Sequence, residues 1–147
     1  MFHRARESTE EAFARTASLA GTGCWEGALE AFAVLDHRLR RRIRSAEEYV
    51  FPLFEIKAGS ASELTRTLVL GHREIENGLQ RLGACLRQRA LDDVPGCVRA
   101  LRQVLEEHDG RAGRLFYPLL DRLLTHDERR VLMARGDDED EPGTASG

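Results

Sequence analysis

The sequence predicts an all-α fold, an up-down-up-down four-helix bundle over residues 1–135 with a short fifth helix at its end. Three observations lead there. Apolar residues recur at spacings of three and four through four long stretches. The breaks between those stretches are short, which makes successive helices antiparallel neighbours. An offset of 66 residues also lays Phe51-Pro52-Leu53-Phe54-Glu55 on Tyr117-Pro118-Leu119-Leu120-Asp121, and Phe2, Phe13, Ala20, Leu35 and Leu39 on Leu68, Leu79, Leu86, Leu101 and Leu105. The chain thus reads as two copies of one helical hairpin, and any central site should be lined from both.

The first helix runs from about Ser8 to Ala20 and stops at Gly21-Thr22-Gly23. A second begins near Trp25 and reaches about Lys57, with Ala28, Phe32, Leu35, Leu39, Ile43, Ala46 and Leu53 along one side; Gly59-Ser60 breaks it. Ser62 is the expected N-cap of the third, whose inner stripe holds Leu68, His72, Ile75, Leu79, Leu82 and Leu86. The fourth starts around Asp92–Pro95, with Pro in its first turn, and turns Val98, Leu101, Leu105, His108, Ala112, Leu115 and Leu119 inward. A fifth helix covers about Asp127 to Arg135. Pro52 and Pro118 each remove a backbone bond near a helix end, where a kink is tolerable.

Composition narrows the function classes. The 147 residues suffice for one domain with a proper core, and no apolar run approaches the roughly 18 residues of a membrane span. Met1-Phe2-His3-Arg4-Ala5-Arg6 lacks the apolar stretch of a secretory signal, so a cytoplasmic location is expected. Cys24, Cys85 and Cys97 have no CxxC spacing and read as reduced, partly buried thiols. The acids Asp137 to Glu141 belong to a tail, residues 136–147, expected to be disordered. The cluster Arg38, Arg40, Arg41, Arg42 and Arg44 reads as a solvated face; without interleaved aromatics it gives no case for nucleic acid. No Ser/His/Asp or Cys/His arrangement and no Gly-rich phosphate loop is present, so no catalytic residue is assigned.

Leu68-Val69-Leu70-Gly71-His72-Arg73-Glu74-Ile75, His108 ahead of Pro118, Leu124-Thr125-His126-Asp127-Glu128-Arg129 and Glu47-Glu48-Tyr49-Val50-Phe51-Pro52 together resemble the hemerythrin-like (HHE cation-binding) family, across nearly all of residues 1–135. That resemblance implies a bundle around a non-haem di-iron centre. Its ligands would be a His on the first and third helices and a His-x-x-x-Glu pair on the second and fourth. Carried over, the ligand positions fall on Arg6, with His3 one turn away, on Arg42 and Ala46, on His72, and on His108 and Ala112. Two imidazoles remain, two positions hold Arg, and both bridging carboxylates are Ala. A guanidinium stays protonated and offers a metal no lone pair. The chain is therefore expected to be a divergent member without the usual di-iron site.

The centre admits three readings. In the first, Arg6 and Arg42 pair with Glu10 and Glu76, which the offset also superimposes, and two neutral His complete a metal-free network. In the second, His72, Glu76 and His108 hold a single iron or zinc ion, for an oxygen, nitric oxide or redox response. In the third, the space left by Ala46 and Ala112 admits an anion or cofactor that meets Arg6 and Arg42. The first, a non-catalytic, bacterial-type sensor, binding or interaction protein, is preferred. Its partner would be a protein or a small ligand, and the half-repeat is compatible with a homodimer. Glu47 and Glu48 are expected on a solvated face, His37 and His126 at the surface, and Trp25 and Tyr49 in packing roles.

Overall fold

The computed structural model describes residues 8–60 and 62–140, with side chains as far as Arg135. Among them every regular element is helical. α1 spans Thr9–Gly21, α2 Trp25–Ser45, α3 Phe51–Ala58, α4 Glu63–Arg87, α5 Val94–Arg111, α6 Tyr117–Leu123 and α7 His126–Asp140. Two π-helical turns, Ala46–Val50 and Ala112–Phe116, join α2 to α3 and α5 to α6 without a break.

The helix ends follow local chemistry. Ser8 caps α1 in a reciprocal box with Glu11, two bonds of 2.8 and 3.0 Å that satisfy otherwise orphaned donors. Ser62 caps α4 by accepting from the Leu64 and Thr65 amides. Thr125 and Glu128 repeat the box at the start of α7. α3 ends at Gly59, whose φ of 88° is the left-handed conformation that a glycine adopts without steric cost.

The π-helical turns correct the predicted kink. Proline lacks an N–H and its ring collides with the carbonyl four residues back. The chain answers by widening: the Phe51 amide donates to Ala46 O and the Tyr117 amide to Ala112 O, five residues back in each case. Each widened turn adds one residue and rotates the helix downstream of it. Leu115 and Leu119, predicted inside, are 51% and 42% exposed, while Phe116 and Leu120 are buried. In the first copy Phe51 and Phe54 take the buried places, and Leu53 is only half-buried.

α1 packs on α2, α2 on α4, α4 on α5, and α5 returns to α1; α7 lies against α2. This encloses two apolar clusters. The larger gathers Phe13, Leu35, Leu79, Leu82, Leu86 and Leu101 with their neighbours. The smaller centres on Phe51, Phe54, Leu68, Phe116, Leu120 and Leu124. Along α4, His72 lies between Leu68 of the smaller cluster and Ile75 of the larger. Along α5, His108 lies between Leu105 of the larger and Ala112 of the smaller. No described helix is long and apolar enough to cross a membrane. α7 extends to Asp140, beyond the predicted end at Arg135; the rest of the acidic tail, 141–147, lies outside the described residues.

Candidate functional site

The seam between the two clusters brings His72 and His108 together. Their ring centroids are 4.6 Å apart with planes inclined at 50°, and both residues are buried. Phe51 stacks nearly parallel on His72 at 5.6 Å. Gly71 makes room for His108, since a β-carbon there would stand 2.7 Å from His108 Nδ1. That nitrogen is itself buried and has no hydrogen-bond partner among the described residues.

Glu47, expected in solvent, brings a carboxylate to this imidazole pair. Its Oε2 lies 2.7 Å from His72 Nδ1 and also pairs with Arg73. The widened turn that begins at Ala46 carries Glu47 into this position. Burial lowers the His72 pKa against the opposing pull of Glu47. Burial again, then the neighbouring His72 and the Arg42 and Arg111 guanidinium groups, push His108 down to about 4. Neither ring is expected to carry a charge at neutral pH.

The other predicted partners are wired differently. Glu10 does not lean inward; it is largely exposed and meets Arg102 at 2.5 Å. Glu76 ion-pairs with Arg73 at 3.3 Å. Arg42 lines the cavity beside the imidazole pair with a side chain 38% exposed, and its partner is Asp109 at 3.4 Å and neither predicted acid. Burial raises the Asp109 pKa, against the pull of Arg42. Arg6 and His3 lie outside the described residues, so the contacts predicted for Arg6 do too. The arginine run is not wholly solvated, because Arg38 is buried, while His37 and His126 are exposed as expected. Tyr49 packs under Arg135, whose guanidinium carbon lies 4.3 Å from the ring centroid.

Beside the imidazole pair opens a cavity of about 740 Å³. Ala46, Ala112 and Gly113 line it where longer side chains would fill it, and α7 contributes Leu132, Met133 and Arg135. Arg42, Asp109, His72 and His108 supply polar groups to walls otherwise rich in Leu, Ile and Val. A volume of this size lies within the range of about 300–1,000 Å³ typical of small-molecule sites.

These residues do not fit a di-iron centre. Ala46 and Ala112 offer no bridging oxygen, and Arg42 places a fixed cation where the resemblance would put a ligand. Among the described residues no three of His, Cys, Asp and Glu converge as a metal-ligand group. The predicted trio of His72, Glu76 and His108 is thus not assembled. Neither a family model, nor a curated protein, nor a solved structure matches the chain.

Proposed function

We propose that this chain is a divergent hemerythrin-like four-helix bundle that has exchanged its metal centre for a ligand pocket and acts as a non-catalytic sensor or binding protein in the cytoplasm. The single observation behind this reading is the cavity of about 740 Å³, open where Ala46 and Ala112 stand in place of carboxylates. The ligand has an apolar body, suited to Leu39, Ile43 and Leu105, and a small anionic group directed at Arg42. The His pair supplies neutral hydrogen-bonding groups at the inner wall. Glu47 fixes the His72 ring, which keeps that wall rigid.

A single iron or zinc ion on His72 and His108 is the competing reading. It is weakened by Glu76, which is engaged with Arg73, and by the positive charge of Arg42.

Titration with 1-anilinonaphthalene-8-sulfonate, an apolar anion, tests the proposal. One saturable site per chain is expected. Ala112→Phe should fill the space and Arg42→Gln should remove the anion's partner, each weakening binding by about tenfold or more. Unchanged affinity in both variants sinks the pocket reading. Stoichiometric iron or zinc in the purified protein, lost from His72→Ala and His108→Ala, would overturn its metal-free character.

A further inference from the structure

α4 and α5 also meet far from the cavity, at the hairpin that joins them. There Cys85 Sγ lies 3.0 Å from Cys97 Sγ. Both thiols are half-buried against the larger apolar cluster, whereas Cys24 is exposed. The backbone holds the pair in place from both sides. Cys85 O accepts from the Ala90 amide as α4 ends, and the Cys97 amide donates to Asp93 O in the first turn of α5. The sulfurs are already in contact, and a disulfide requires closure from 3.0 Å to about 2.05 Å.

We propose that Cys85 and Cys97 are a reversible dithiol–disulfide pair, oxidised by small-molecule disulfides of the glutathione class, that locks α4 against α5. One protein thiolate attacks a sulfur of the small disulfide and releases one small thiol, leaving a mixed disulfide on the protein. The second protein thiolate attacks the protein sulfur of that adduct and expels the other small thiol. The two protein thiol protons end on the two released thiols. The protein loses two electrons, and the small disulfide gains them. Burial, then the hydrogen bond shared with Cys97, raises the Cys85 pKa to about 11, so the exchange accelerates as pH rises. The link fixes the sliding of the two helices that bear His72 and His108, yet neither cysteine lines the cavity.

Incubation of the native full-length chain with oxidised glutathione is the test, read by thiol titration and peptide mapping. The three thiols of the chain should fall to one, with Cys85 joined to Cys97 in a monomer and dithiothreitol restoring both. In urea the equilibrium constant for closure should drop by about tenfold or more, because folding supplies the proximity. Glutathione retained on Cys85 or Cys97, linkage of either to Cys24, or equal closure in urea would overturn the proposal. Cys85→Ser should leave a stable glutathione adduct on Cys97; rapid loss of that adduct would also count against it. None of these outcomes depends on the ligand pocket.

Discussion

The two widened turns that precede Pro52 and Pro118 solve one backbone problem and then diverge in chemistry. Ala46–Val50 and Ala112–Phe116 start at matching positions, end before matching aromatic-Pro pairs and make the same five-residue hydrogen bond. The first buries none of its residues and sends Glu47 to His72. The second buries Ala112 and Phe116, and its counterpart of Glu47 is Gly113, which leaves the cavity wall bare. A duplicated scaffold can therefore keep its backbone device while one copy specialises in holding a polar group and the other in packing and open space.

The sharpest test of that division is Phe116→Ala set beside Val50→Ala. Phe116 is fully buried against Phe51 and Phe54, with centroids at 5.3 and 4.9 Å. Its truncation should cost about 3–5 kcal/mol in urea unfolding. Val50 is half-buried at the edge of the same cluster, and its truncation should cost about 1 kcal/mol or less. Equal losses would erase the distinction between the turns.

Gly71→Ala against Gly113→Ala comes next. The first drives a β-carbon to 2.7 Å from His108 Nδ1, while the second meets nothing within 4 Å. Gly71→Ala should destabilise by about 2–3 kcal/mol as the ring is displaced. Gly113→Ala should be neutral or stabilise by up to about 1 kcal/mol through helix propensity. The same urea series reads both.

The smallest of the three effects concerns protons. His108 stands at about 4 and His72 also lies below its ordinary value, so the unfolded chain binds protons first on acidification. Stability is full above about pH 6.5 and declines as pH falls toward 4. His108 alone accounts for about 2 kcal/mol lost between pH 7 and 5. Asp109 acts in the opposite direction, because its raised pKa lets the folded state hold a proton that the unfolded state has released. His108→Gln should flatten the slope of the unfolding midpoint against pH. An unchanged slope would mean that the ring is not desolvated.

Much of the helix order is legible in the sequence because its signals are local. Gly21, Gly59, Ser62 and Pro95 mark ends that the structure keeps within a residue or two. The inner stripe of α4, from Leu68 through His72 to Leu86, is also legible, since nothing interrupts its period. Phase is not. A widened turn leaves no trace in composition, so a regular spacing puts Leu115 and Leu119 inside although that spacing no longer holds beyond Ala112. Glu47 escapes for the same reason. It sits five residues before Pro52, within the widening that such a proline requires, and that position is the signal to read. Symmetry misleads at Glu10: its superposition on Glu76 in sequence does not bind it to the same surroundings, and Arg102 takes it instead.

The extra residue in each widened turn also bears on how the sequence can change by insertion and deletion. Gain of a further codon within Ala112–Phe116 would turn everything downstream by about 100°. Phe116 and Leu120, now buried, would then swing toward water. Loss of one codon would instead restore a regular helix with both residues still facing inward, at the expense of a collision between the Pro118 ring and a helix carbonyl. The two turns thus distinguish the sign of a length change: a gain disrupts the apolar face of α6, and a loss strains only the backbone at the proline.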